Sequence, residues 1–239
     1  MTNNEMPNDV PTSFQEALAG MHVTLENAEV QQLAAFLDRL LTANQSFNLT
    51  AITNRDEAWL RHIANSLTLL PYLVEAGAKN VLDVGSGGGL PGIPLAIALP
   101  NVHFTLLEAT GKKAHFLEQT AREMQLDNVT VKNSRAETLA HDDAHREHYD
   151  IVTARAVGKL NVLLELTLPF ATIGGLVLAI KGQQAPDEVH LAKAALHQLH
   201  ANVVETIKVE GGTLVLVEKR RATPKRYPRR PGEPARAPL

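Results

Sequence analysis

Short runs of β-branched and aliphatic residues alternate with amphipathic stretches over the second two thirds of the chain. The runs predict strands at residues 81–84, 102–107, 129–133, 149–153, 174–180, 203–209 and 213–218. The stretches between them predict helices at about 92–99, 111–125, 159–170 and 186–200. Strands that alternate with helices favour a parallel sheet with crossover connections. Gly211-Gly212 predicts a hairpin, which would make the last strand pair antiparallel.

The chain before the first strand has a helical pattern. One apolar stripe has three- and four-residue spacing and consists of Leu33, Phe36, Leu37, Leu40 and Leu41. Another helix opens at Asn54 or Arg55. We therefore predict an N-terminal helical cap at 1–75, an α/β domain at 76–220 and a tail at 221–239. The cap can cover the carboxyl edge of the sheet, where exposed Asn48, Arg61 and His62 would face a substrate; solvated residues on a helix face are the equal alternative.

A glycine-rich turn follows the first predicted strand. It contains Gly85, Gly87, Gly88, Gly89 and Gly92 and leads into an apolar helix. Glycine permits positive φ and close approach of a ligand, and such a turn holds nucleotide-like cofactors. The second strand ends in Glu108, whose carboxylate can accept hydrogen bonds from ribose hydroxyls. The turn satisfies both the S-adenosylmethionine pattern and the dinucleotide pattern, so the motif alone leaves the two cofactors open.

Composition narrows the class of protein. Hydrophobic residues make up 44% and charged residues 21% of 239, as in globular proteins. The absence of cysteine excludes disulfides, thiolate metal sites and cysteine nucleophiles. The sequence has neither a signal-peptide pattern nor an apolar run of membrane-spanning length, so we predict a cytoplasmic protein without a membrane segment.

The charge is unevenly distributed. From Lys219 to Leu239 there are eight basic residues and one acid, a balance of +7, whereas the rest of the chain carries −10. A cationic tail on an acidic body predicts a polyanionic partner, and a solvated solubility tail explains the charge equally well. Five prolines recur in this tail and predict an extended, mobile segment that cannot carry a core.

Residues just beyond the strand ends are the candidates for chemistry. Arg155 and Lys181 follow the fourth and fifth strands, and two cations there suit a phosphate-bearing substrate; surface salt bridges are the alternative. The sequence has no evident set of residues for hydride transfer to a carbonyl. It has no cysteine, which methylation of pyrimidine C5 generally uses as nucleophile, and no Asn/Asp-Pro-Pro motif after the fourth strand, which usually accompanies methylation of an exocyclic amine. Guanine N7 needs no general base because its lone pair is free.

The spacing of His141, His145 and His148 resembles a metal site, but the polar loop favours a solvated surface, and we predict no metal.

Six short segments, taken together, resemble the pattern of a known family. They are Asn48-Leu49-Thr50, Arg61-His62, the continuation Gly89-Leu90-Pro91-Gly92-Ile93-Pro94 of the glycine turn, Ser134–Glu137, Arg155-Ala156 and Lys181-Gly182. The chain is similar, from about Leu33 to Lys219, to bacterial 16S ribosomal RNA guanine-N7 methyltransferase G, also called glucose-inhibited division protein B. The resemblance implies a Rossmann-like class I methyltransferase fold with a seven-stranded, mostly parallel sheet. It implies S-adenosylmethionine as cofactor and guanine N7 in the 16S rRNA of the 30S subunit as target. We expect a monomer.

The resemblance and the rim positions together give three sets of site residues. The cofactor-binding set is Gly85, Gly87, Gly89, Leu90, Glu108, Ala109, Thr110, Ala136, Glu137 and Arg155. The catalytic set is Asn48, Arg155 and Lys181. The RNA-binding set is Arg61, His62, Arg135, Lys181, Lys225, Arg226, Arg229 and Arg230.

The chain departs from the family pattern at three positions. Gly88 stands where the family usually has Pro or Ala, Asn65 where it has Asp, and Gly212 where the last hairpin commonly carries Arg. The hairpin therefore lacks the family's cation for an RNA contact, and the tail is a candidate replacement. An NAD(P)-dependent oxidoreductase and a non-catalytic, RNA-binding ribosome-assembly protein are the alternative functions.

Overall fold

The computed structural model describes residues 10–239, so the first nine residues of the predicted cap lie outside the described residues. Seven strands form one sheet in the order β3-β2-β1-β4-β5-β7-β6. The strands are β1 (Asn80–Val84), β2 (His103–Glu108), β3 (Val129–Asn133), β4 (Tyr149–Arg155), β5 (Ala171–Lys181), β6 (Ala201–Val209) and β7 (Gly212–Lys219). All pairs from β3 to β5 are parallel, and β7 is antiparallel to both neighbours. The predicted sheet is confirmed, including the hairpin.

Helices lie on both faces of this sheet. Within the α/β part they are α6 (Gly92–Ala98), α7 (Gly111–Glu123), α8 (Ala136–Leu139), α9 (Leu160–Thr167), α10 (Ala185–Leu191) and α11 (Lys193–Leu199). A last short helix, α12 (Glu233–Arg236), lies in the C-terminal residues. Successive strand residues point to opposite faces, so Val81 packs in one apolar cluster and Leu82 in the other. The chain therefore has a three-layered arrangement in which the sheet is covered on both sides.

The N-terminal cap shares the core of one face. Its helices are α1 (Thr12–Gly20), α2 (Asn27–Asn44), α3 (Arg55–Ala58), a π-helical turn (Trp59–Ala64), α4 (Asn65–Leu67) and α5 (Leu70–Glu75). A capping box begins α2: the Glu29 carboxylate accepts a hydrogen bond from Glu26 N at 2.7 Å, and the Glu26 side chain accepts one from the backbone of Glu29. Leu33, Phe36 and Leu40 of the predicted stripe are fully buried and belong to the same cluster as Val81 of β1. Within residues 10–239 no helix combines the length and the apolar character needed to cross a membrane.

The C-terminal residues form an ordered strap rather than a mobile tail, so that expectation is wrong. We call residues 221–239 the C-terminal strap. The Arg146 guanidinium donates to the strap carbonyls of Thr223 at 2.8 Å and Tyr227 at 3.0 Å, and also to Ala140 O at 2.9 Å. Tyr227 is 3% exposed and joins the second apolar cluster. A planar guanidinium presents several donors in one fork, so one side chain fixes the strap at both sides of the turn between Thr223 and Tyr227.

A buried ion pair anchors the middle of the strap. Glu165 of α9 has no exposed surface, and its carboxylate accepts from Arg229 N and Nε at 2.8 Å and from Nη2 at 2.6 Å. The adjacent Arg230 is exposed, and no ion pair within residues 10–239 involves it. Arg229, which was predicted to bind RNA, is therefore committed to the fold.

We expect Arg229→Met to lower the free energy of unfolding by about 3 kcal/mol, because it leaves the Glu165 carboxylate buried without its counter-charge. Arg230→Met is the matched control, since it removes the neighbouring exposed guanidinium. Urea denaturation followed by circular dichroism measures both. Equal stability of the two variants would contradict the anchoring role.

Candidate active site

The glycine turn lies where the strand order reverses between β1 and β4, the position at which such sheets bind ligands. Gly85 N and Ser86 N donate to Leu107 O at 2.8 and 3.1 Å, so the turn is tied to the end of β2. A Cβ on Gly89 would meet Ile93 at 2.7 Å, which makes that glycine a packing requirement. At Gly87, φ is +56° and the nearest atom to an added Cβ is Gly85 O at 3.8 Å. Gly87 therefore faces open space, as a ligand cradle requires.

A buried carboxylate closes the turn. Asp83 of β1 is 0% exposed and accepts hydrogen bonds from Gly92 N at 3.2 Å and from the Thr153 hydroxyl at 3.1 Å. Burial raises the pKa of Asp83 to about 6, although these donors and the Arg155 charge oppose the rise. The carboxylate links β1, the first residue of α6 and β4.

Glu108 occupies the predicted position beside the turn. Its Oε2 accepts from Gly87 N at 3.0 Å and its Oε1 accepts from Thr110 N at 2.7 Å. Each carboxylate oxygen has two acceptor sites, so both oxygens retain one for another donor. Asn133 Nδ2 donates to Glu108 O at 2.9 Å and connects this residue to the end of β3. The structure thus brings together the predicted residues of the turn and of Glu108–Thr110, with the end of β3 beside them.

Four of the predicted cationic or imidazole residues line one cleft of about 440 Å³: Arg61, His62, Arg155 and Lys181. Thr50, Asn65 and Gly211 also line it, so the cap, the end of β4 and the β6–β7 hairpin meet there. Asn48 is exposed and is not among the lining residues, but the next residue, Leu49, would lie 3.5 Å from a Cβ on Gly88. The loop that carries Asn48 therefore borders the glycine turn.

Arg155 is fixed by an amide that the sequence did not single out as a site residue. Its Nη1 donates to Arg61 O at 3.1 Å and to Asn65 Oδ1 at 3.3 Å, while Asn65 Nδ2 donates to Glu210 O in the hairpin turn. An aspartate at 65 could accept from Arg155 but could not donate to the hairpin. Burial lowers the pKa of Arg155 to about 10, so the guanidinium stays charged at neutral pH.

The imidazole of His62 is buried, contrary to the expectation that it is exposed. It is 6% exposed, and its Nε2 lies 2.7 Å from the Thr50 hydroxyl. Burial lowers the pKa of His62 to about 4, and the nearby Arg155 charge adds to this effect. The ring is therefore neutral at pH 7 and contributes no positive charge for RNA.

Lys181 is also committed to internal contacts. Its Nζ lies 2.8 Å from Glu188 Oε2 and donates to Gly158 O. The Glu188 carboxylate also accepts a hydrogen bond from Leu160 N at 2.7 Å. The Lys181–Glu188 ion pair therefore holds the segment after β4 at two points, Gly158 and Leu160. That segment places Val157 against Gly85 and contains Ala156 at φ +59°, a backbone conformation that is costly outside glycine. Glu188 was missed because nothing in its helical pattern distinguishes it from a solvated residue.

The remaining predicted residues lie around α8, which follows β3 at the carboxyl edge of the sheet. Ala136 is half-buried, Arg135 is exposed, and Glu137 is buried with its Oε1 accepting from Gly232 N of the strap at 2.9 Å. The strap cations Lys225, Arg226 and Arg230 are exposed.

Two of the three loop histidines make hydrogen bonds within the fold. His141 Nε2 donates to Pro228 O at 2.8 Å, and His145 Nδ1 lies 2.7 Å from the Tyr149 hydroxyl. In the part of the chain that the structure describes, no group of three or more His, Cys, Asp or Glu residues is arranged to hold a metal ion.

Sequence comparison identifies the family. A model described as GidB, rRNA small subunit methyltransferase G, matches residues 29–217. The chain belongs to this family. Ribosomal RNA small subunit methyltransferase G from Sorangium cellulosum (strain So ce56) is 47% identical over 222 residues, 92% of each chain. The protein of that name from Limosilactobacillus reuteri (strain DSM 20016) is 38% identical over 238 residues, 96% of this chain and 99% of the relative.

Solved structures agree with this family in fold. An O-methyltransferase from Bacillus cereus, in complex with SAH, superposes with a TM-score of 0.61 at 16% identity, covering 87% of this chain and 98% of that chain. The predicted class I methyltransferase fold and the predicted family are confirmed. As a member of the rRNA small subunit methyltransferase G family, the protein is a methyltransferase enzyme.

The neutral His62 makes stability depend on pH. Its folded-state pKa of about 4 lies below the ordinary 6.5, so between these values only the unfolded state gains the proton. We expect the His62 contribution to the free energy of unfolding to fall by up to about 3 kcal/mol as pH drops from about 6.5 to about 4, while Asp83, whose pKa is raised to about 6, contributes in the opposite direction below about pH 6.

His62→Gln cannot gain this proton and should lose that part of the pH dependence. Urea denaturation between these pH values, compared with the exposed control His197→Gln, measures the difference. Parallel pH curves for wild type and His62→Gln would refute the assignment.

Proposed function

We propose that the protein transfers the methyl group of S-adenosylmethionine to N7 of a guanine in the 16S rRNA of the small ribosomal subunit. The observation that carries this proposal is the open glycine turn beside a cationic cleft. Gly87 leaves a space free of side chains, and Arg155, whose charge acts on Asp83 at the start of that turn, lines the cleft together with Arg61. The family relatives are named as methyltransferases of small-subunit rRNA, which supports the substrate class. A ribosomal substrate places the reaction in the cytosol.

The residues present fit an adenosine-containing cofactor. Glu108 retains acceptor sites for ribose hydroxyls, and Gly87 leaves room for the ligand next to that carboxylate. Ala109, Thr110, Ala136 and Glu137 follow β2 and β3 along the same edge and would hold the base. The cofactor, when bound, supplies an electrophilic methyl group. Leu90, Gly85 and Gly89 shape the turn on which it would rest.

The cleft suits an anionic nucleotide whose reacting atom carries a free lone pair. Arg61 and Arg155 present positive charge toward it, while His62 is held neutral and Lys181 is paired with Glu188. Guanine N7 is unprotonated at neutral pH, so no side chain has to remove a proton. The protein then acts by alignment, because holding two reactants in line replaces a bimolecular encounter. Asn48, on the loop beside Gly88, is proposed to orient the base, and Arg155 to position the phosphate or cofactor. Lys181 acts indirectly in this proposal, through the contacts to Gly158 and Glu188 that hold the segment after β4.

Transfer of tritiated methyl groups to 30S particles and to naked 16S rRNA, followed by nucleoside analysis, tests this function. We expect the label in 7-methylguanosine. Label on an exocyclic amine or a ribose would contradict the N7 target. Particle binding without any transfer would favour a non-catalytic assembly role.

Substitution at the turn tests the cofactor site. Gly87→Leu should abolish detectable binding of S-adenosylhomocysteine in calorimetric titration, because the side chain would enter the open space. Gly77→Leu is the matched control, since Gly77 has φ +58° and no atom within 4 Å of an added Cβ but lies between α5 and β1. Both variants carry a similar backbone strain of about 1 kcal/mol. Wild-type affinity in Gly87→Leu would exclude this turn as the cradle.

The exposed strap cations are proposed to contact the RNA backbone together with Arg61 and Arg135. Lys225 and Arg230 form no ion pair within residues 10–239, and Arg226 lies over the Tyr227 ring at 4.9 Å. Exposed cations on a fixed segment can replace counterions at phosphates without a large ordering cost.

We expect Lys225→Ala/Arg230→Ala to weaken RNA binding and to reduce the slope of log K against log salt by about 0.7 per lost phosphate contact. The charge-matched control is Lys79→Ala/Lys193→Ala, at exposed positions outside the strap. Filter binding of 16S rRNA over a range of salt concentrations measures the slopes. An unchanged slope in the strap variant would make these cations a solubility feature.

A further inference from the structure

The C-terminal strap is bonded to the short helix that the cofactor is proposed to contact. Gly232 N donates to the Glu137 carboxylate at 2.9 Å, and His141, two residues after the end of α8, donates from Nε2 to Pro228 O at 2.8 Å. Arg146 Nη1 bridges Ala140 O and Tyr227 O at 2.9 and 3.0 Å. The start and the end of α8 are thus both tied to strap backbone.

Helix α8 has little stability of its own. It contains four residues, and its first turn receives no side-chain capping hydrogen bond. Helices of this length do not persist in water without tertiary contacts. The bonds to the strap therefore do much to determine where Ala136 and Glu137 lie.

The strap is itself held to the core on its far side. Arg229 is paired with the fully buried Glu165 of α9, and Tyr227 donates from its hydroxyl to Gln198 at 2.5 Å. Because α9 packs on the sheet, these contacts connect the sheet to α8 through the strap. A short helix held in this way is positioned before a ligand arrives, which removes an ordering cost from binding.

We propose that the C-terminal strap is a positioning element of the cofactor site: it holds α8 so that Ala136 and Glu137 are in place for the adenosine end of S-adenosylmethionine. This inference rests on the proposed function. It gives the strap a second role that is independent of its exposed cations, because the contacts to α8 come from the backbone of Pro228 and Gly232 and from Tyr227 O.

His141→Ala is the sharpest test because His141 is exposed and its loss should leave the fold intact. Losing this one hydrogen bond should weaken S-adenosylhomocysteine binding about five-fold. The KM for S-adenosylmethionine should rise, with kcat unchanged at saturating cofactor. His141→Gln, whose Nε2 can donate to the same carbonyl, should restore the affinity. His148→Ala is the matched control, an exposed histidine of the same loop whose ring contact is with Tyr149.

A chain ending at Arg221 should show a larger loss of affinity for S-adenosylhomocysteine than His141→Ala. If that chain does not fold, His141→Ala and His141→Gln decide the question alone. Wild-type affinity in His141→Ala would overturn the proposal, as would a fall in kcat with an unchanged KM. Failure of the wild-type protein to bind S-adenosylhomocysteine would instead remove the proposed function on which the inference rests.

Discussion

The architecture of the site depends on a carboxylate that has no contact with solvent. Asp83 joins β1 to the start of α6 through Gly92 N and to β4 through the Thr153 hydroxyl. Removing a carboxylate from water is costly, as its raised pKa shows, and it is tolerated because donors surround it. Asp83 precedes the glycine turn and Gly92 ends it, so their hydrogen bond joins the two ends of the turn at the point where the strand order reverses. The positions of Gly87 and Glu108 follow from that closure.

The local features of this site were predictable from sequence. Strand runs, the glycine turn and Glu108 are encoded within short windows, and the parallel sheet brings their ends to one edge. Burial of His62 was not predictable, because its environment comes from Thr50 and from Arg155, which is more than ninety residues away. Lys181 looked like a free cation since its partner Glu188 lies in the following helix.

The strap shows a different limit of sequence reasoning. A segment rich in proline and arginine has the composition of a mobile tail, and nothing within it reveals its partners. Those partners are Arg146 and Glu165, which lie some sixty to eighty residues earlier. Proline suits a strap because its carbonyl still accepts a hydrogen bond, as Pro228 does from His141. Composition therefore correctly indicated that the strap has little regular structure, which is limited to the short α12, but it wrongly indicated the absence of order.

The uneven charge of the chain has two separable causes. Part of the strap charge neutralises carboxylates of the acidic body: Arg229 meets Glu165, and Lys219, just before the strap, meets Glu147 at 2.7 Å while fully buried. The rest, including Lys225 and Arg230, stays exposed. Buried pairs fix where the strap lies, and that placement decides where its exposed cations point. A rigid strap can therefore present a charge pattern at a defined distance from α8, whereas a mobile tail of the same composition would attract RNA without orienting it.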